Sequence, residues 1–207
     1  QHLADARDLR APPCMTDRAD HPWLGELFGD AEIAQMLSAE ADLHRMLRIE
    51  AAWTRAIAPE DISERIASRT EHASINPGDL AAGTSRDGVP VPELVRILKK
   101  GIPEEQDHRW IHNGLTSQDV MDTALVMALQ EVLPVLQTRL DGLNDELDAL
   151  SARDGHRRLM GMTRMQPALP IQTGDRISTW QRPLVGLAAD LTDLKHRCAI
   201  LQWGGPV

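Results

Sequence analysis

The sequence predicts an all-α protein in which an N-terminal helical domain precedes long, kinked helices of a multi-subunit bundle. Two stretches, beginning near residues 116 and 173, carry apolar side chains at intervals of three and four, which is typical of bundle helices. Alternating strand patterns are nearly absent. We expect a loosely held arm at residues 1–20, a helical domain at 21–113, and the first part of a truncated central bundle domain at 114–207.

The composition is acidic and poor in aromatic residues. The 207 residues include 31 Asp and Glu against 22 Lys and Arg, a net charge of −9, with no tyrosine and one phenylalanine. A nucleic-acid partner would require a basic face and stacking aromatics, so none is expected. No apolar run is long enough to span a membrane and no signal segment is visible, so we expect a cytoplasmic protein. Cys14 and Cys198 are too few for a disulfide framework and should be free thiols.

The N-terminal helices are predicted from their start and stop signals. After a short compact segment at residues 21–30, Asp30 is suited to cap a helix that should run from Ala31 to about Ala58, where Pro59 stops it. A shorter helix is predicted at 62–69. Turns are predicted at 76–78 and 86–88. A further helix should begin at Pro92 and end at Gly101.

The next segment should form one long helix. Thr116 and Asp119 have the spacing of a capping box, and Gly155 should end the helix. Such a helix would be about 55 Å long, which is more than a small domain spans. Pro134 inside it should produce a kink. The predicted seam consists of Leu125, Leu129, Val132, Leu136, Leu140, Leu143, Leu147 and Leu150.

The last helix repeats this pattern and contains Pro183. Its apolar positions are Ile177, Trp180, Leu184, Leu187, Leu191, Leu194, Cys198 and Leu201. Two long antiparallel helices leave apolar seams that need further helices to cover them. We therefore expect the cover to come from other subunits, from further C-terminal sequence, or from both.

The first motif, residues 112–124, joins a polar turn to the long helix. The free N–H groups of a helix N-terminus bind anions, so Thr116 and Ser117 are candidates to hold a carboxylate. The plainer interpretation is a helix cap, worth about 1 kcal/mol. His108 and His112 are spaced like a metal pair but lack an adjacent Glu, and no metal site is expected.

The second motif, residues 161–173, contains Arg164 and Gln166. A guanidinium group stays protonated and clamps a carboxylate with two parallel hydrogen bonds, but it is a poor proton shuttle near neutral pH. The alternative is a structural salt bridge. A third candidate, Arg86 beside Asp87, is equally well explained as part of an ordinary polar turn.

Together these motifs resemble the fumarase/aspartase superfamily and, within it, the bacterial 3-carboxy-cis,cis-muconate cycloisomerases, over about residues 21–205. The resemblance implies a homotetramer whose active sites combine three subunits, with a catalytic serine on a mobile loop beyond the matched region. We therefore expect the 207-residue chain alone to show no turnover. The resemblance also implies a small polycarboxylate substrate and no cofactor. By the same resemblance, Ser117 and Arg164 are catalytic, and the substrate-binding residues are Arg86, His112, Thr116 and Gln166.

The arginines favour lactone chemistry over amine release. Adenylosuccinate lyases carry a catalytic histidine where this chain has Arg164, and amine-lyases carry a His-Asp pair near Arg86. An amine leaving group needs a proton, whereas a carboxylate leaves as a stable anion. The sequence therefore predicts that a substituted muconate closes to a muconolactone, in aromatic catabolism by the protocatechuate and beta-ketoadipate route. The alternatives are a lyase that releases an amine from a succinyl adduct and a helical scaffold without catalysis.

Overall fold

The computed structural model describes residues 25–205, and helices dominate this range, which confirms the predicted all-α class. The expected arm at residues 1–20, the segment at 21–24 and Cys14 lie outside the described residues. The chain divides into two compact units between Asn113 and Gly114.

The first unit is built from short and medium helices. They are α1 (Gly25–Phe28), α2 (Ala31–Met36), α3 (Ala39–Ile57), α4 (Glu60–Glu71), α5 (Ala81–Asp87) and α6 (Val91–Lys100), with 3₁₀ turns at Pro77–Leu80 and Glu105–Trp110. Its core consists of apolar side chains that these helices bury against one another: Leu43, Met46, Leu47, Ala51, Ile66, Ala67, Val91, Leu94 and Leu98.

The helix predicted from Ala31 to Ala58 is two helices, so that prediction was wrong in one respect. The chain leaves the helical conformation at Ser38, whose backbone is extended and whose hydroxyl accepts the Ala41 N–H at 3.1 Å. Asp30 caps α2 as expected, by accepting the Ile33 N–H at 3.1 Å. The cap at Ser38 satisfies a donor that an interrupted helix would leave without a partner.

Replacing Ser38 by alanine should destabilise the first unit by about 1 kcal/mol, because the buried cap loses its acceptor. Urea unfolding followed by circular dichroism measures this change. Ser63 lies inside α4 and provides the control, since alanine is the better helix former there. Equal midpoints for S38A and the unsubstituted protein would contradict the capping role.

The turn predicted at residues 86–88 is also corrected. Arg86 and Asp87 form the last turn of α5, and Gly88 ends the helix in the left-handed conformation at φ 78°. Glycine adopts this conformation without the steric cost of a Cβ, which is why it commonly ends helices. The segment at 76–78 caps and begins a 3₁₀ turn, with Gly78 N–H donating to Asn76 Oδ1 at 2.8 Å.

The second unit pairs two long helices through a β-hairpin. Helix α7 (Ser117–Asp154) has 38 residues and continues through Pro134, and α8 (Thr173–Arg197) contains Pro183. Strands β1 (Arg158–Thr163) and β2 (Gln166–Gln172) are antiparallel. The predicted cap at Thr116 and stop at Gly155 are both present.

The hairpin was not predicted from the sequence. Alternating strand patterns are nearly absent from the sequence, and Pro167 and Pro170 disfavour a strand in the middle of a sheet. In a sheet of two strands each strand is an edge, so both prolines are tolerated.

The apolar seam predicted for α7 is largely uncovered within this unit. Val132 is buried, but Leu125, Leu136 and Leu143 are 54%, 37% and 47% exposed. The buried apolar positions in the first half of α7 are Val120, Ala124, Ala128, Val132 and Leu133. None of the helices within residues 25–205 is both long and apolar enough to cross a membrane.

Candidate active site

In the first unit, one face of α3 holds the loop that ends the unit. Trp53 Nε1 donates to the Asn113 carbonyl at 2.7 Å, and the buried Thr54 hydroxyl donates to the Trp110 carbonyl at 3.3 Å. Residues 53 and 54 are consecutive in the helix. Two hydrogen bonds from α3 therefore hold the loop that carries His112.

His112 is bound to a third residue of the same face. Its Nδ1 lies 2.6 Å from Glu50 Oε1, and the Glu50 side chain is fully buried while that of His112 is 18% exposed. His112 also has a left-handed backbone, at φ 59°. Residues with a Cβ rarely adopt this conformation, and such outliers cluster at functional sites.

Glu50 was not among the predicted site residues. In sequence it follows Leu43 and Leu47 at intervals of four and three, so it lies on the apolar face of the helix. A carboxylate on such a face is itself a signal, because buried acidic side chains require a partner. The partner lies 62 residues away in sequence, so the spacing could not reveal it.

Arg86 is engaged by acidic neighbours of the first unit. Its guanidinium donates to Asp87 at 2.9 and 2.7 Å, and Nη2 lies 3.5 Å from Glu93. The guanidinium hydrogen bonds hold the pKa of the exposed Asp87 carboxyl below its usual range. Arg86 is 62% exposed, and its role as a substrate ligand stays a prediction.

In the second unit, the start of α7 has the predicted capping box. The Asp119 carboxylate accepts the Thr116 N–H at 2.9 Å, and Thr116 has the extended backbone of a helix cap. Ser117 is the first helical residue and is half-buried. Its hydroxyl has no hydrogen-bond partner among residues 25–205. The arrangement leaves a hydroxyl and the positive end of a long helix available to an anion.

Asp119 does more than close the capping box. It is 2% exposed, and its carboxylate accepts the N–H groups of Gly204 and Gly205 at 2.8 and 3.1 Å. A Cβ on Gly205 would lie 3.1 Å from the Gly114 carbonyl, and Gly205 has φ 69°, so this position favours glycine. The Gly204–Gly205 segment thus lies beside the turn that precedes Ser117. Asp119 had been predicted as a cap alone.

Arg164 and Gln166 lie together at the tip of the hairpin. Arg164 and Met165 connect the strands with φ 44° and φ 64°, a left-handed pair for which glycine and asparagine are the usual residues. Arg164 is exposed and makes no hydrogen bond or ion pair within the described range. A structural salt bridge, the alternative role of Arg164, therefore has no acidic partner among residues 25–205. The guanidinium is available to bind an anionic ligand.

Metal ligation has no support within residues 25–205. That range contains no group of three or more His, Cys, Asp and Glu side chains arranged to hold an ion. The Nε2 atom of His108 lies 2.7 Å from the Ile102 carbonyl, so this histidine is engaged by backbone.

Comparison with known proteins shows that the chain is similar to adenylosuccinate lyases and to 3-carboxy-cis,cis-muconate cycloisomerases, among other enzymes. An adenylosuccinate lyase of Archaeoglobus fulgidus is 29% identical over 188 residues, which cover 87% of this chain and 40% of that protein. A 3-carboxy-cis,cis-muconate cycloisomerase of Acinetobacter baylyi is 27% identical over 192 residues, covering 87% and 42%. The chain spans about two fifths of the length of these relatives.

The fold and the family agree. The 3-carboxy-cis,cis-muconate lactonizing enzyme of Pseudomonas putida superposes with a TM-score of 0.79 at 28% identity, over 85% of this chain and 42% of that chain. Residues 37–207 match the lyase family. These findings confirm the resemblance drawn from the two motifs: the chain belongs to the lyase family of the fumarase/aspartase superfamily.

Proposed function

We propose that the protein is a cycloisomerase that closes 3-carboxy-cis,cis-muconate, or a similarly substituted muconate, to a muconolactone. One substrate carboxylate adds to a carbon of the conjugated diene, and a proton is added at the neighbouring carbon. The new C–O bond and the new C–H bond replace the π bond, so no oxidant, reductant or cofactor is consumed. The protein's task is to position the reacting groups and to stabilise the charge that develops.

The observation that carries this proposal is the free guanidinium at the hairpin tip. Arg164 is exposed on a left-handed backbone without a partner among the described residues. A guanidinium remains a cation while the reaction proceeds, and it binds carboxylate through two parallel hydrogen bonds. This suits chemistry in which the group that adds to the diene, and that leaves again in the reverse reaction, is a carboxylate.

The start of α7 supplies the second anion-binding element of the proposal. Ser117 and the first N–H groups of a 38-residue helix would stabilise the negative charge that spreads into a carboxylate beside the reacting carbon. Thr116 and Gln166 would orient the remaining carboxylates. A local positive pocket is needed because the chain's charge of −9 repels a polycarboxylate.

We further propose a homotetramer as the working assembly. Large apolar side chains of α7 and α8 stay exposed within their own unit, among them Leu143 at 47% and Trp180 at 55%. Apolar surface of this extent is typical of interaction sites. Arg86 and His112 would contribute to the substrate pocket in that assembly.

The second candidate is a lyase that releases an amine from a succinyl adduct. It is favoured by the adenylosuccinate lyase relative, whose 29% identity equals that of the Pseudomonas putida cycloisomerase. Assays of the complete protein with carboxymuconate and with adenylosuccinate separate the two. Loss of diene absorbance without fumarate release supports the cycloisomerase, and fumarate release from adenylosuccinate overturns it.

The third possibility, a scaffold without catalysis, is tested by Ser117→Ala. We expect kcat/KM to fall about 10²-fold, because an anion-stabilising donor is removed while the cap at Thr116 remains. Ser151 lies near the other end of α7, so S151A is the matched control and should retain full turnover. Unchanged turnover and ligand binding in S117A would favour the scaffold.

A further inference from the structure

Glu50 combines deep burial with an incomplete set of hydrogen bonds. It lies in the middle of α3 and is fully buried, and Leu47, Ala51 and Thr54 of the same helix are buried too. Its Oε1 contacts His112, but its Oε2 has no hydrogen-bond partner among the described residues. Burying a carboxylate in this way costs free energy that an apolar side chain would not. The core of the unit alone does not explain its presence.

His112 adds a second cost at the same contact. Its left-handed backbone at φ 59° is unfavourable for a residue with a Cβ. The loop is held in place by the bonds from Trp53 to Asn113 and from Thr54 to Trp110. Positions 50, 53 and 54 form one patch of α3, so a single helical surface fixes the strained loop and the histidine ring together.

The contact also determines which ring nitrogen of His112 is available. An ionised carboxylate only accepts hydrogen bonds, so opposite an ionised Glu50 the proton of a neutral imidazole lies on Nδ1. The other ring atom, Nε2, is then the one left to contact a ligand. The imidazole is 18% exposed, so part of the ring is accessible while the carboxylate behind it is sealed from solvent.

We infer that Glu50 is a positioning residue, which holds His112 by Nδ1 so that Nε2 faces the substrate. This inference rests on the proposed function for the contact between His112 and substrate. Glu50 touches no reacting atom and acts through the histidine alone. It fixes the tautomer and the ring orientation, and it offsets the cost of the left-handed backbone with a short hydrogen bond.

Glu50→Leu tests this assignment when its effects on stability and on turnover are measured separately. Leucine removes the buried charge but leaves the His112 Nδ1–H without an acceptor, and a buried donor without a partner costs about 1–3 kcal/mol. We expect a lower melting temperature, by about 2–4 °C for each kcal/mol lost, with E50L still folded at the assay temperature. We expect kcat to fall about 10²-fold, with a smaller change in KM, because misplacement of a ring by about 1 Å costs this much. In the E50Q variant, an amide oxygen still accepts from Nδ1, and most of the turnover should return.

A double-mutant cycle tests whether Glu50 affects kcat through His112. In an H112N background, E50L should cause no further loss of kcat, since the residue through which it acts is gone. Glu40 lies exposed on the same helix, and E40Q is the matched control for E50Q. A full additional loss in the H112N background, or turnover of E50L equal to that of the unsubstituted protein, would overturn the assignment.

A measurement without substrate keeps this test separate from the proposed function. Long-range ¹H–¹⁵N spectra of histidine-labelled protein report the ring tautomer, and the His112 signal is the one that H112N removes. We expect Nδ1–H in the unsubstituted protein and loss of that preference in E50L. The same tautomer in both proteins contradicts the positioning role, whichever substrate the enzyme accepts.

Discussion

Arg164→Gly is expected to lower kcat/KM by about 10²–10³-fold while leaving the melting temperature as high as before, or higher by up to about 2 °C. Arginine at φ 44° has the steric cost of a Cβ in the left-handed region, about 1 kcal/mol, which glycine does not have. The same change removes the free guanidinium. Turnover of carboxymuconate and differential scanning calorimetry measure the two effects.

Met165→Gly is the matched control, because Met165 is the second left-handed residue of the same turn and is 92% exposed. It should relieve similar strain and retain turnover. Comparable losses of turnover in R164G and M165G would show that the rigidity of the turn matters and that the guanidinium does not. Arg164→Lys keeps a positive charge but lacks the planar fork of the guanidinium. It should restore little of the turnover that is lost in R164G.

Asp119→Ala should destabilise the second unit by about 2–4 kcal/mol. The buried carboxylate accepts the N–H groups of Thr116, Gly204 and Gly205, and alanine leaves these donors without an acceptor. A buried donor without a partner costs about 1–3 kcal/mol. Denaturant unfolding of the second unit, followed by the fluorescence of its tryptophans, measures the loss. Activity should also fall, since the segment beside Ser117 is released.

The control for Asp119 is Asp145→Asn, on an exposed part of the same helix. It should change the unfolding free energy by less than about 0.5 kcal/mol. Asp119→Asn retains one acceptor oxygen, so its unfolding free energy should lie between those of D119A and D145N. If D119A unfolds at the same denaturant concentration as D145N, the carboxylate does not hold the Gly204–Gly205 segment.

The ends of most helices were predictable because the signals that set them are local. Asp30, Thr116 and Gly155 act within a few residues of their own position, and each ends or begins a helix as expected. Ser38 acts just as locally, but it lies within a continuous apolar pattern that hid the break. The hairpin was not predicted because its prolines disfavour a central strand. Both of its strands are edge strands, in which proline is tolerated.

The site residues that could be predicted from the sequence are those that lie close to one another along the chain. Ser117 follows its cap directly, and Arg164 and Gln166 lie two residues apart. Glu50 and His112 meet across 62 residues, and Asp119 meets Gly204 across 85. Such pairs follow from the packing of helices, which a single sequence does not specify residue by residue.

The bond between Asp119 and Gly204 also has a consequence for the order of folding. It closes a loop of 85 residues, and the chain entropy lost in closing such a loop is about 4 kcal/mol. The helices and the hairpin inside the loop form from neighbouring residues and pay little of this cost. The contact between Asp119 and the Gly204–Gly205 segment should therefore form last and open first. Amide hydrogens of Gly204 and Gly205 should then exchange with solvent before those of α7 do.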